Sequence, residues 1–121
     1  MLVEYAIVLI PTILLTLGAV DFGFMIWDTN QVNRAVNAVA RCIAIGPPLC
    51  VNQCASIQTY GSRLAYTTYP VTFTSTALNS AGCSQQITGT MTYHYLFLPF
   101  SAKNISVSAC YPSQTLLQNL C

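Results

Sequence analysis

The sequence predicts an α+β fold in which one long N-terminal helix packs its C-terminal half on a small antiparallel β head held by disulfides. Three observations carry that expectation. Residues 5–27, YAIVLIPTILLTLGAVDFGFMIW, are almost wholly apolar and continue into an amphipathic stretch with no Gly or Pro between Phe24 and Ile45. From Pro70 onward the apolar period drops from helical spacing to two. The six cysteines, Cys42, Cys50, Cys54, Cys83, Cys110 and Cys121, all lie outside the apolar run.

The helix comes first. About 20 apolar residues match the hydrocarbon thickness of a bilayer. The run is not a secretory signal peptide: it has no basic n-region, Glu4 stands where a base belongs, and no small-residue cleavage site follows. Beyond it, Val32, Ala35, Val36, Val39 and Ile43 recur on one face, with Asn30, Arg34, Asn37 and Arg41 on the other. Gly46-Pro47-Pro48 is a stop signal. One helix from near Leu2 to about Ile45 is predicted, with Pro11 as a place to bend. Such a helix is roughly 65 Å long at 1.5 Å per residue. The residues left over make a head only about 30 Å across. Half the helix must project, and that half is apolar, so it requires lipid or other copies of itself.

The chain therefore divides into a helical part, residues 1–46, and an extracytoplasmic head, residues 47–121. The helical part has an apolar section (1–28) and an amphipathic section (29–46) that packs on the head. Leu49 to Gly61 suits a short second helix. A strand begins at Pro70, with Val71, Phe73 and Ser75 on one face, and Asn79-Ser80-Ala81-Gly82 is turn material. Ile87 to Leu98 extends the same alternation, placing Met91, Tyr93, Tyr95 and Phe97 together. Pro99 to Asn104 is a loop, and Ile105, Val107 and Ala109 mark a third strand. Three antiparallel strands with one apolar face need a cover, which Val32 to Ile43 supplies.

Charge is scarce: 6% of residues, against about 25% in ordinary globular chains. A net charge of +1 argues against nucleic acid as a partner. Asp21 sits between Val20 and Phe22 with no base three or four positions away, a costly placement that marks a partner or a functional site. Either Glu4 and Asp21 lie at wet membrane interfaces, or they pair between subunits: Glu4 with a neighbour's terminal amine, Asp21 or Asp28 with Arg34 or Arg41 of a staggered copy. Gly18 and Gly23 would let helices approach closely.

An even cysteine count in a small chain indicates disulfides and an oxidising compartment, and the spacing lacks the CxxC pairs of a zinc site. Cys83 and Cys110, flanking neighbouring strands, are the favoured pair, Cys121 fastens the tail, and Cys50 with Cys54 is disfavoured within one helical turn. No catalytic constellation is present. His94 has no nucleophile–acid set beside it, no glycine-rich phosphate loop occurs, and neither a metal nor a cofactor is expected.

Val3-Glu4-Tyr5-Ala6-Ile7-Val8-Leu9-Ile10-Pro11, then Gly18-Ala19-Val20-Asp21-Phe22-Gly23, then Asn33-Arg34-Ala35 through Ala40-Arg41, resemble the TadE-like family of pilins and pseudopilins of tight-adherence, type IV pilus-related systems. The segments Tyr95 to Pro99 and Ile105 to Ala109 resemble that family's C-terminal part. The resemblance implies a prepilin cut by a membrane peptidase, and the sequence looks like the processed chain. Glu4 stands one place earlier than the family's usual glutamate. It further implies a subunit held in the inner membrane, then passed through pilus assembly machinery into an extracellular filament of identical copies. Glu4, Tyr5, Pro11, Gly18, Asp21, Phe22, Gly23, Asp28, Arg34 and Arg41 are the expected assembly residues. A minor pseudopilin and a membrane-anchored periplasmic assembly or binding factor are the alternatives.

Overall fold

The computed structural model describes residues 2–45, 54–80 and 83–112. Helix α1 spans Leu2–Ile45, and α2 spans Cys54–Leu64. Strands β1 (Val71–Ser80), β2 (Cys83–Tyr93) and β3 (Lys103–Tyr111) form one antiparallel sheet in the order β1-β2-β3. The Gly46-Pro47-Pro48 stop, Cys50 and Cys121 lie outside the described residues.

Helix α1 runs unbroken for 44 residues with Pro11 inside it. Its amphipathic part lays Val32, Ala35, Val36, Val39 and Ala40 on the sheet, all buried. The sheet answers with Val71 and Phe73 from β1, Ile87, Met91 and Tyr93 from β2, and Ile105 from β3. The registers Phe73↔Gly89 and Gly89↔Val107 set Gly89 at the centre of the apolar face. A Cβ there would lie 2.6 Å from Val36 Cγ2 and 3.1 Å from Val32 Cγ1, so only glycine lets α1 come this close. The opposite sheet face carries Thr72, Thr74, Thr90, Thr92, Ser106 and Ser108, all exposed.

Helix α2 closes the β1 side. Gln58 Nε2 donates to the Val71 carbonyl at 2.7 Å, and the Phe73 amide donates to Gln58 Oε1 at 2.7 Å. One side-chain amide thus continues the ladder at the sheet edge, where unpaired backbone groups otherwise remain. Ile57 of α2 is buried in the core. The disulfide Cys83–Cys110 ties the start of β2 to the end of β3, with its Cα atoms 5.5 Å apart.

Two expectations are corrected. The second strand begins at Cys83 and stops at Tyr93, rather than running from Ile87 to Leu98. The alternation does continue through Tyr95 and Phe97, but the amides of Leu96, Phe97 and Leu98 are taken by a carboxylate of α1, so they cannot join a ladder. Helix packing on the head also begins well before residue 29. Leu17 and Gly18 are already partly covered, and Asp21 is fully buried.

Candidate membrane-anchoring and assembly site

The site has three parts along α1: a bare rod, a junction with the head, and an outer polar stripe. In the rod every described side chain from Val3 to Thr16 is exposed, apolar ones included. Its two threonine hydroxyls are satisfied within the helix: Thr12 Oγ1 donates to the Val8 and Leu9 carbonyls at 3.0 and 2.8 Å, and Thr16 Oγ1 to the Ile13 carbonyl at 2.8 Å. Beyond Glu4 and Tyr5 at its start, a surface of apolar side chains with threonine hydroxyls turned onto the helix suits lipid or other helices. Helix α1 is long and apolar enough to cross a membrane.

The junction is built on Asp21, which is 0% exposed. Its Oδ1 accepts the Leu96 amide at 3.1 Å, and its Oδ2 accepts those of Phe97 at 2.9 Å and Leu98 at 3.2 Å. Three donors converging on one carboxylate make a strong charge-assisted set. Tyr93 Oη donates to the Asp21 backbone carbonyl at 3.1 Å. Burial, with the negative charges of Asp21 and then Asp28, holds the Tyr93 phenol above its ordinary value of 10.0. Around this core the rings of Tyr69, Tyr93, Tyr95 and Phe100 meet edge to face in succession, with centroids 5.5–5.7 Å apart.

Asp28, two turns further on, is 1% exposed. Its Oδ1 accepts the Thr68 amide at 3.3 Å and lies 3.5 Å from the Thr68 hydroxyl, and its Oδ2 is buried with no partner among the described residues. Both aspartates therefore turn into their own head and are covered within the subunit. Sequence spacing misses their partners because these lie 40 and 75–77 positions away. The available signal was an unpaired acid inside an apolar helix beside a later apolar loop, LFLPF.

The remaining expected residues do not converge. Glu4 and Tyr5 lie exposed on the rod with Pro11, and Arg34 and Arg41 lie exposed on the outer face of α1. Phe22 and Gly23 are exposed beside the junction. A Cβ on Gly23 would meet nothing within 4 Å, whereas one on Gly18 would touch Leu98 Cδ1 at 3.8 Å, so Gly18 faces the head's own loop. His94 is exposed, with its ring against Tyr69 and its carbonyl accepting the Tyr69 hydroxyl at 2.8 Å. Among the described residues no three potential ligands gather into a metal site. Cys42 is disulfide-bonded, as are Cys83 and Cys110, and no described cysteine is free.

No curated protein and no solved structure matches this chain. A protein-family model described as TadE-like protein matches residues 1–41. The segments Tyr95 to Pro99 and Ile105 to Ala109, which also resembled the family, fall outside the match. The rod, both buried aspartates and the sheet-covering face of α1 all fall within it, so the similarity to the TadE-like family is carried by residues 1–41.

Proposed function

We propose that this chain is a structural subunit of a bacterial Tad-type, type IV-like pilus. Helix α1 holds it in the inner membrane before assembly and packs among the same helices of other copies in the extracellular filament. The observation that carries this is the rod: residues 3–16 leave the head with every side chain exposed, within the stretch 1–41 that matches the TadE-like family. An apolar rod of this kind exchanges lipid for neighbouring rods, so assembly is driven by packing and by pairing of exposed charges. Glu4, Arg34 and Arg41 are the exposed charges of α1 that can take part. Asp21 and Asp28 act inside the subunit, fixing the head at a set height on the helix. The disulfides suit a head on the extracytoplasmic side. The chain works by assembly and not by catalysis, with a prepilin peptidase and a pilus assembly machine as its partners.

The test is immunogold labelling of filaments sheared from cells, with antibody raised against the head, together with quantification of the chain in the sheared fraction. Continuous labelling along fibres, with the chain as their main component, is expected. Trace amounts in fibres made of another protein would make it a minor pseudopilin. A chain confined to the membrane fraction would make it an anchored assembly factor.

A further inference from the structure

The loop between β2 and β3 is built inside out for a loop in water. Its apolar side chains Leu96, Phe97 and Phe100 are 56%, 51% and 64% exposed. Its amides at residues 96–98 are turned inward onto the Asp21 carboxylate. No charged residue occurs between Arg63 and Lys103, the exposed residue that opens β3. Donors inside and apolar groups outside is the arrangement that a hydrocarbon environment requires of irregular backbone.

The height of this loop follows from helix geometry. A hydrocarbon core about 30 Å thick takes up about 20 residues, so a span beginning at Tyr5 ends at about Phe24. Asp21 then lies about 4.5 Å inside the boundary, at 1.5 Å per residue. The loop is hydrogen-bonded to Asp21 and shares that depth. A lipid-facing carboxylate there would be expensive, and the loop removes it from lipid by giving it three donors. By the same rise Trp27, exposed, falls about 4.5 Å beyond the boundary, where aromatic belts lie. The patch is also continuous with the bare rod through Leu98, which faces Gly18.

We propose that the Leu96–Phe100 loop inserts into the head-side leaflet of the bilayer that α1 spans, as an apolar collar around the point where the helix leaves the membrane, with Asp21 wrapped beneath the lipid surface. The inference rests on α1 being membrane-spanning. Lipid is the occupant because the depth of the loop is set by α1 of the same chain, before any second copy arrives.

The experiment uses the full chain with Trp27→Phe, reconstituted in phosphatidylcholine–phosphatidylglycerol vesicles carrying bromine either near the headgroup or near the acyl-chain end. Single tryptophans are introduced as Phe97→Trp, Phe100→Trp, Leu14→Trp and Ser108→Trp. Both loop probes are expected to lose roughly half their emission to the shallow bromines, as for groups buried about 5–10 Å into an interface. The Leu14→Trp probe, near the middle of the span, is expected to be quenched most by the deep bromines, and the Ser108→Trp probe by neither. Deep quenching at position 14 with unquenched loop probes would leave α1 spanning the bilayer and overturn the collar. A blue-shifted but unquenched loop probe would mean that a second copy covers the loop, and also overturns it. No quenching at position 14 would remove the spanning helix, and the collar with it. The Phe100→Trp chain keeps the test open if the Phe97→Trp chain fails to fold.

Discussion

Asp21 and Tyr93 act as one unit at the residue scale. The carboxylate takes three loop amides, and its own backbone carbonyl takes the phenol. In Asp21→Asn one acceptor oxygen becomes a donor facing another donor. Hydrogen bonds to a charged group contribute about 1.5–3 kcal/mol each, so this change is expected to lower stability by about 2 kcal/mol or more. Thermal unfolding in detergent micelles checks it, and an unchanged midpoint would mean that the amides are not held by the carboxylate. Tyr93 gives a pH dependence of known sign. Its folded pKa is raised, chiefly by burial and then by the two aspartates, so the folded state holds the phenolic proton more tightly than the unfolded state. The resulting stability is complete below pH 10.0 and declines as pH rises through and above it. Wild type should lose stability more steeply than Tyr93→Phe between pH 9 and pH 11, about one unit either side of the ordinary tyrosine pKa. Parallel pH curves for the two chains would contradict this. Tyr93→Phe should itself cost about 1 kcal/mol at neutral pH through the lost bond to the Asp21 carbonyl.

The contact between α1 and β2 at Gly89 leaves no room for a side chain. Gly89→Ala places a methyl into Val36 Cγ2, and overpacking of this kind costs about 1–3 kcal/mol. Val36→Ala leaves a void and is destabilising alone. In the double variant the added methyl occupies the space that was vacated, so a double-mutant cycle should show favourable coupling of about 0.5 kcal/mol or more. Additive costs would mean that α1 does not rest on β2 at this position. The Cys83–Cys110 bridge closes a span of 27 residues, for which the chain-entropy relation gives about 3–4 kcal/mol. Replacing both cysteines with serine should lower stability by about that amount in denaturant titration. These elements differ in how far the sequence reveals them. The buried face of α1 repeats every three to four residues and the core faces of the strands every two, so Val32 to Ala40 and Ile87 to Tyr93 are legible by period alone. The end of β2 is not. His94 to Leu98 keeps strand alternation in its sequence and leaves the sheet only because Asp21, 75 positions earlier, competes for its amides. Gln58 and Thr68 escape notice for the same reason: each becomes informative only once its distant partner is in place.

For the molecule as a whole, the question is where anchor ends and head begins. Composition sets the boundary near residue 28, where the apolar run gives way to polar spacing. The packing sets it near residue 17, because Gly18 touches Leu98 and Asp21 is already enclosed. Residues 17–28 are therefore apolar in sequence but part of the head in structure, and the two boundaries make different predictions for shortened chains. A chain beginning at Thr16 keeps Asp21 and has a hydroxyl residue to cap the helix. It should unfold cooperatively with a stability within about 0.5 kcal/mol of the full chain in the same detergent, since only exposed rod has been removed. A chain beginning at Phe22 keeps every core side chain of α1, from Val32 to Ala40, but lacks the carboxylate and the carbonyl that hold the loop and Tyr93. It should be weaker by about 3 kcal/mol or more, because removing one side of a charged hydrogen-bonded set leaves its buried donors unsatisfied. Its Tyr93 and Tyr95 rings should also lose near-ultraviolet dichroism as the ring succession loosens. Equal stability of the two shortened chains would place the boundary at residue 28 and reduce Asp21 to a passenger. A large loss already in the chain beginning at Thr16 would instead show that the head depends on the rod. The full chain alone should require detergent or lipid to stay monomeric, since it alone carries the exposed, largely apolar residues 3–15.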